Sequence, residues 1–265
     1  MDEQATEVPE VPKAPTLPPV GGWPRAILFR IFALLIAGGA VYNNQDGLGA
    51  IIVLFVLVVP FERFFPRHDH QNFRRPNLNL DLGYALASPF LQAVGLVAAV
   101  FVGVLSFTWI PGLILRPYVQ SIPDPYLLLV GVAMFDVASY WTHRWYHEVP
   151  QLWKFHAIHH SPEHMDWASG FRAHPFDGTL IAPAFFFLIA AGFSPEFSGL
   201  VAVVQIVLGL FLHANVRIWL KPLSKIIMTP EFHHWHHANE PEAIWCNYST
   251  FLPLWDLVFG TYYMP

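Results

Sequence analysis

The sequence predicts an all-α integral membrane protein whose transmembrane helical hairpins carry a histidine-rich site at the cytoplasmic face. Hydrophobic residues make up 54% of the 265 residues and charged residues only 12%, whereas soluble domains carry about 25% charged residues. The apolar residues also fall into runs of helical length that short polar or proline-rich turns separate. The formal net charge of −5 says little about partners, because in membrane proteins the location of basic residues carries the information.

The N-terminal part differs in composition from the rest of the chain. Residues 1–24 are rich in proline and acidic residues, which predicts a disordered tail. This tail lacks the charged-then-apolar order of a cleaved signal peptide. Residues 25–265 are predicted to form a single membrane-embedded domain.

The first two apolar runs, 26–42 and 48–61, are separated by a polar turn. Each is shorter than the ~20 residues of a straight transmembrane helix, so the sequence predicts a thin spanning hairpin, with a re-entrant pair as the alternative. The following loop, 62–80, contains the densest set of arginines in the chain: Arg63, Arg67, Arg74 and Arg75. The positive-inside rule places this loop in the cytoplasm. His68 and His70 are interpreted as surface residues of the loop.

The later apolar runs continue the alternation across the membrane. Residues 82–108 are predicted to span it, 109–125 to form a loop with proline breakers, and 126–142 to return the chain to the cytoplasmic side. A hairpin of 179–193 and 197–212 then leaves that side and comes back. All histidine segments therefore fall on one face, and the pattern fits a bacterial inner membrane and an endoplasmic reticulum membrane equally.

Three histidine clusters are the main chemical signal. They have the spacings HxxxH, HxxHH and again HxxHH, and their members are His143, His147, His156, His159, His160, His233, His236 and His237. Residues three and four apart share one face of a helix, so each cluster presents its imidazoles together. Eight ligands exceed the three or four protein ligands that a zinc ion uses, which favours a dinuclear site. Imidazole binds iron, zinc, copper and nickel, so the ligands leave the metal open. His234 is expected to point away.

Other residues near the clusters are assigned supporting roles. Asp136 lies seven residues before His143 on the same helix face, and a buried carboxylate in a membrane helix is usually functional. We therefore expect Asp136 to accept a hydrogen bond from a ligand imidazole and to orient it. No catalytic nucleophile or acid is evident beyond the metal ligands. The single cysteine, Cys246, excludes an internal disulfide and any four-cysteine metal site.

The chain contains no Rossmann or P-loop fingerprint, so no built-in nicotinamide, flavin or nucleotide site is expected. No nucleic-acid partner is expected either. Any redox activity would then depend on electrons from another protein.

From about Asp136 to the C-terminus the chain resembles the fatty acid hydroxylase / sterol desaturase superfamily, in particular its sterol desaturase-like branch. The resemblance rests on the three histidine motifs and on three further segments: Phe171-Arg-Ala-His174-Pro-Phe-Asp177-Gly178, Asn247-Tyr248, and Leu254-Trp255-Asp256 with Phe259-Gly260-Thr261. It implies two iron ions that activate O2 to hydroxylate or desaturate a membrane lipid, with zinc as the alternative metal on purification. It also implies a separate electron donor of ferredoxin or cytochrome b5 type.

The resemblance adds two ligand candidates, His174 and His213. Arg217 stands where some relatives have a further histidine, and Asn215 is considered in its place, either directly or through a water molecule. The substrate class remains open among sterols and other isoprenoids, fatty acyl lipids and glycerolipids. Hydroxylation, desaturation and the oligomeric state are equally open.

Two alternative functions use the same histidines. A zinc-dependent membrane hydrolase would activate a metal-bound water, and oxygen-independent turnover would reveal it. A non-enzymatic metal- or haem-binding membrane protein would catalyse nothing, and a Soret band would identify haem.

Overall fold

The computed structural model describes residues 46–72, 74–218 and 221–265. Within these ranges the chain forms nine α-helices and no strand, which confirms the all-α fold class. The helices are α1 (Asp46–Phe64), α2 (Leu78–Leu105), α3 (Trp109–Val119), α4 (Asp124–Glu148), α5 (Pro150–His159), α6 (Ala182–Ala191), α7 (Pro195–Leu212), α8 (Pro230–His236) and α9 (Leu254–Phe259). The predicted tail, 1–24, and the first apolar run, 26–42, lie outside the described residues. The single membrane-embedded domain stays a prediction.

Among the described residues, two helices, α4 and α7, are long and apolar enough to cross a membrane. A third crossing is formed if the end of α2, from Val97, and α3 count as one span, although the two are bent by 74° at the break. Large apolar side chains such as Val97, Phe101 and Ile114 point outward on these helices, as lipid contact requires. The protein is therefore a helical membrane protein.

The predicted loop 109–125 is wrong over most of its length, because residues 109–119 form α3. Pro111 is tolerated because it lies in the first turn, where helical N–H groups have no intrahelical partner. The second proline, Pro117, lies inside the helix, and tertiary packing outweighs the helix-breaking tendency of this residue. At Gly112 a side chain would meet the carbonyl oxygen of Phe187 at 2.5 Å, so only glycine allows α3 to pack this closely on α6.

The apolar core lies between α4, α6 and α7. Phe135, Leu188 and Val201 are buried there, one from each helix, with Val119 of α3 against them. Both α4 and α7 pack against α6 in this core, and their C-terminal parts carry His143 and His213.

A buried network of four charged side chains joins the segment before α2 to the segment after α5. Arg75 donates to both oxygens of Asp166 at 2.6 Å and to Asp81 at 2.6 Å. Arg172 donates to the other oxygen of Asp81 at 2.6 Å. The positive charge of Arg75 is therefore neutralised inside the protein, and it adds nothing to the exposed basic charge used to orient loop 62–80. The cytoplasmic orientation stays a prediction.

Glu62, near the end of α1, joins that helix to two distant segments through hydrogen bonds. One of its carboxyl oxygens accepts from the backbone N–H of Trp167 at 2.7 Å and of Asn215 at 2.9 Å. Burial, reinforced by the nearby charge of Asp166 and opposed by Arg75, raises the pKa of Glu62 to about 8. Glu62 therefore carries a proton at neutral pH.

The buried charged network should be essential for stability. Asp81→Asn keeps the shape of the side chain but leaves Arg75 and Arg172 with one carboxylate between them. Breaking one partner of a buried ion pair costs about 3 kcal/mol or more, so we expect a clear fall in the unfolding midpoint of the detergent-purified protein. Asp69→Asn, at a side chain that is 86% exposed, is the control. Equal midpoints for the two variants would contradict the prediction.

Glu62 should also make stability depend on pH. The folded-state pKa of about 8 lies above the ordinary value of 4.5, so unfolding releases a proton between these pH values. Stability should therefore fall as pH rises through this window, by up to about 1.4 kcal/mol per pH unit. Glu62→Gln removes that loss, so its unfolding midpoint should rise relative to wild type between pH 5 and pH 8. If the unfolding midpoints of wild type and Glu62→Gln changed with pH in parallel, the prediction would be contradicted. Glu163→Gln, at an exposed carboxylate, is the control.

Candidate metal centre

Nine of the ten predicted ligand histidines converge in two adjacent groups. The first group is His143, His147, His156, His160 and His236, and the second is His159, His213, His233 and His237. Within each group the candidate ligand nitrogens all lie within 4.8 Å of one another. The groups touch where the rings of His160 and His237 stack with centroids 4.1 Å apart. That these residues hold metal ions stays a prediction.

Local sequence signals bring the four histidine-bearing segments to this point. Pro150 disfavours helix at the residue before it, and Val149 is extended, so α4 stops and α5 folds back over it. Thr229 caps α8 by accepting from the N–H of Phe232 at 3.3 Å. His213 occupies the position that ends α7.

Each HxxHH motif divides its histidines between the two groups. In α5 the i,i+4 pair His156 and His160 joins the first group, while His159 joins the second. In α8 the i,i+4 pair His233 and His237 joins the second group, while His236 joins the first. The motif spacing therefore divides the imidazoles of one helix between two neighbouring groups.

Five ligand rings donate a hydrogen bond on the side away from the centre. Their Nδ1 atoms pair with Tyr248 O (from His143, 2.8 Å), Asp177 Oδ1 (from His156, 2.8 Å), Arg172 O (from His159, 3.1 Å), Gly209 O (from His213, 2.6 Å) and Cys246 O (from His236, 2.8 Å). Carbonyl and carboxylate oxygens only accept, so the proton of each ring is on Nδ1. The bare Nε2 atoms then face inward, as metal-binding imidazoles do.

The inward-facing nitrogens fit metal ions and fit little else. Nε2 of His143 lies 3.1 Å from Nε2 of His156, and Nε2 of His159 lies 3.1 Å from Nε2 of His213. All four Nδ1 atoms carry the proton, so these pairs bring lone pair against lone pair. Ligand bonds of about 2.1 Å meeting at a right angle place two nitrogens about 3.0 Å apart. A cation shared by each pair accounts for both the distance and the missing protons.

Further buried ring nitrogens support the same interpretation. Among the described residues, Nε2 of His147, His160 and His236 and Nδ1 of His233 and His237 have no hydrogen-bond partner. Burial lowers the pKa of His156 to about 3 and, with the charge of His156, that of His159 to about 4. The imidazoles are therefore neutral, which is the form that binds a metal.

The predicted direct contact between Asp136 and an imidazole is wrong. Its carboxylate accepts from the backbone N–H groups of Thr250, Phe251 and Leu252 at 2.9–3.2 Å. Seven helical residues span about 10 Å, which leaves Asp136 too far from the ring of His143.

Asp136 instead supports a ligand through a loop. Asp256 accepts from the N–H groups of Tyr248 and Ser249 at 2.8 and 2.9 Å, so two carboxylates hold five consecutive amides, 248–252. The same loop supplies Tyr248 O to His143. The carboxylate that does bond an imidazole is Asp177, which accepts from His156. Sequence reasoning did not assign it this role, although Asp177 lies three residues after His174.

The structure does not bring Asn215 or His174 into either histidine group. The side chain of Asn215 pairs with the backbone of His68, accepting at 2.8 Å and donating at 3.2 Å. His174 packs against Phe155 and Phe176, and its Nδ1 accepts from the N–H of Phe176 at 3.1 Å. The side chain of Asn215 and Nδ1 of His174 are thus engaged outside the two groups.

His234 points away from both groups, as expected, but His68, which was predicted to be a surface residue of the loop, is partly buried against it. The two rings stack with centroids 5.3 Å apart, and His68 Nε2 lies 3.2 Å from His234 Nδ1. His234 Nε2 then donates to the carbonyl oxygen of His213 at 3.2 Å. The pair therefore stands directly behind one ligand.

The histidine groups lie between two cavities of different character. An apolar cavity of about 260 Å³ has five of the histidines at its wall, with Leu180, Ile181, Ile206 and Leu210 forming much of the rest. A polar cavity of about 920 Å³ lies against His147, His160, His236 and His237, and is also lined by Arg67, His68, Glu163 and Glu240. The centre can thus be reached from an apolar side and from a polar side.

Comparison with known proteins gives a consistent picture. A family model described as fatty acid hydroxylase matches residues 128–261. Ornithine lipid hydroxylase OlsE of Rhizobium tropici is 29% identical over 226 residues, which cover 82% of this chain and 65% of that protein. Alkylglycerol monooxygenases of Danio rerio and Homo sapiens are each 30% identical over 52% of this chain and 30% of their own length. The chain thus matches less than two thirds of each relative. No solved structure matches.

Asp177 should be a strong determinant of metal retention. Asp177→Ala removes the acceptor that fixes the His156 ring, and the loss of such a partner typically lowers metal affinity 10–100-fold. Asp177→Asn, which keeps an oxygen acceptor without the charge, should fall between this variant and wild type. The measurement is chelator competition on the zinc-loaded, purified protein. Glu148→Gln alters an exposed carboxylate paired with Arg144 and should behave as wild type. Unchanged retention in Asp177→Ala would contradict the role.

Proposed function

This chain belongs to the fatty acid hydroxylase family, and we propose that it is an oxygen-dependent hydroxylase that inserts one oxygen atom into a C–H bond of a membrane lipid. The observation that carries the proposal is the pair of histidine groups at the wall of an apolar cavity. The names of the relatives, a lipid hydroxylase and monooxygenases, favour hydroxylation over desaturation.

The two histidine groups would hold two iron ions, one in each. Bound iron supplies the activation of O2 that attack on an unactivated C–H bond requires. The protein contributes nine neutral imidazoles, in contrast to soluble di-iron bundles, whose ligands include several glutamates. Neutral ligands leave the positive charge of the ions undiminished. A zinc centre with the same ligands is the alternative that the test below separates.

The residues around the centre hold its geometry. Asp177 and the carbonyl oxygens of Tyr248, Arg172, Gly209 and Cys246 fix ligand rings through their Nδ1 protons. The apolar cavity wall excludes water from the reacting carbon and gives a lipid chain a surface to pack on.

The substrate is best described as a lipid with an extended hydrocarbon chain and a polar headgroup. The relatives carry the names of an ornithine lipid and of alkylglycerols. A cavity of about 260 Å³ is smaller than the 300–1,000 Å³ typical of a site that encloses a drug-sized ligand. It suits a segment of one chain better than the fused rings of a sterol, and the rest of the lipid would remain in the bilayer.

The reaction also requires electrons. We assign them to a separate donor protein of ferredoxin or cytochrome b5 type, acting from the cytoplasmic side, to which the histidine face is assigned. The membrane would be a bacterial inner membrane or an endoplasmic reticulum membrane.

Metal analysis of histidine variants tests the centre. The wild-type protein should contain two ions per chain. His236→Ala, in the five-histidine group, and His213→Ala, in the four-histidine group, should each lose about one ion. His174→Ala, the matched control outside both groups, should keep two. Absence of stoichiometric metal from freshly prepared, folded protein would contradict the proposal.

Isotope labelling tests the chemistry. Membranes that contain the iron-loaded protein and a reducing system, incubated under ¹⁸O2, should yield a lipid with one added ¹⁸O atom, detected by mass spectrometry. His236→Ala should yield none, and Asp69→Asn, at an exposed carboxylate that lines neither cavity, should retain turnover. Product formation without O2, or from the zinc form alone, would favour a hydrolase instead.

A further inference from the structure

Three uncharged polar side chains meet in the wall of the apolar cavity. They are Ser139 of α4, Gln205 of α7 and Thr250 of the carboxylate-held loop. The hydroxyl of Ser139 donates to Gln205 Oε1 at 3.4 Å, and Gln205 Nε2 donates to Thr250 Oγ1 at 3.2 Å. We refer to these residues as the polar triad.

The position of the polar triad is unusual. Gln205 lies in the middle of α7, a helix apolar enough to cross a membrane, where a polar side chain is costly and usually functional. Ser139 precedes His143 by one helical turn, about 6 Å along the axis, and Gln205 precedes His213 by about 12 Å. The polar triad therefore lies in the same cavity as the histidines but one to two turns away from them.

The polar triad has hydrogen-bonding capacity beyond its internal contacts. A glutamine amide carries two N–H donors, and among the hydrogen bonds of the described residues only one of them is used. The hydroxyl proton of Thr250 is likewise unassigned there. The backbone of Thr250 is held by Asp136, so this donor is fixed in place. The group thus offers donors to an oxygen acceptor, and none of its three side chains is charged.

We propose that the polar triad binds the carbonyl oxygen of an acyl ester or amide in the lipid substrate and thereby sets which carbon of the chain reaches the histidine groups. Because this hydrogen bond forms at a fixed distance from the histidine groups, it determines which carbon of the lipid chain lies beside them. The inference rests on the proposed function, because it assumes that the cavity receives a lipid chain.

A purely structural role is the competing explanation, since polar side chains also join helices inside membranes. The two roles differ in what they affect. A structural contact influences stability and overall activity. A binding site influences the preference for lipids that contain a carbonyl group and the position of the product hydroxyl.

The first test is a binding competition that needs no turnover. The full-length, metal-loaded protein in detergent is mixed with equal amounts of methyl palmitate and octadecane, and the two bound species are counted by native mass spectrometry. One hydrogen bond should give wild type a preference for the ester of about tenfold relative to Gln205→Leu. Wild type and variant are compared in the same detergent, so the unequal partitioning of the two probes into detergent micelles affects both proteins equally.

Matched variants separate binding from folding. Thr250→Val and Ser139→Ala each remove one hydroxyl of the polar triad and should lower the ester preference in part. They also replace Gln205→Leu if that variant does not fold. Ser198→Ala removes a buried hydroxyl of α7 that bonds within its own helix, and should leave the preference unchanged. A wild-type protein without ester preference, or polar-triad variants that keep it, would overturn the proposal.

The second test uses turnover. In Gln205→Leu the hydrogen bond to the lipid carbonyl is lost, so the product hydroxyl should be spread over several neighbouring carbons. Wild type and Ser198→Ala should give one main position. A single unchanged position would overturn the proposal. Ester preference without turnover in wild type would instead count against the hydroxylase function and leave the subsite standing, so the two failures are distinguishable.

Discussion

The structure depends on one electrostatic constraint, which is that bare imidazole nitrogens face one another in a buried space. His143 and His156, like His159 and His213, approach to 3.1 Å with both protons on the far side of the rings. Such an arrangement is repulsive on its own, and a shared cation would make it favourable. The fold must therefore hold each ring against that repulsion, and it does so with an oxygen acceptor behind each of these four rings.

Those acceptors are themselves held by buried charges. Two carboxylates, Asp136 and Asp256, bind five consecutive amides and so fix the loop that offers Tyr248 O to His143. On the other side, Arg172 offers its carbonyl oxygen to His159 while its guanidinium is bound to Asp81. Most of the buried charge in the described part of the chain thus serves the segments that orient ligands, which explains why a membrane protein with few charged residues buries so many of them.

The sequence predicted what depends on local spacing and missed what depends on packing. Helical periodicity identified eight of the nine convergent histidines, and the family resemblance added His213. The same reasoning selected Asp136 as the partner of an imidazole, because it considered one helix face, whereas Asp177 reaches His156 from a segment that only the tertiary fold brings near. In the same way, Pro111 and Pro117 indicated a loop, but the close contact between Gly112 and α6 stabilises a helix. His174 could not be separated from the ligands by its motif alone.

The unequal size of the two histidine groups has a local origin. Helix α4 supplies an i,i+4 pair to the first group, whereas α7 ends at His213 and supplies only this histidine to the second. The residue four positions later, beyond the helix, is Arg217. The guanidinium of Arg217 donates to the carbonyl oxygen of Arg67, away from the centre. Three of the four histidines in this smaller group line the apolar cavity, against two of the five in the larger group. The smaller histidine group therefore contributes more of the cavity wall than the larger one.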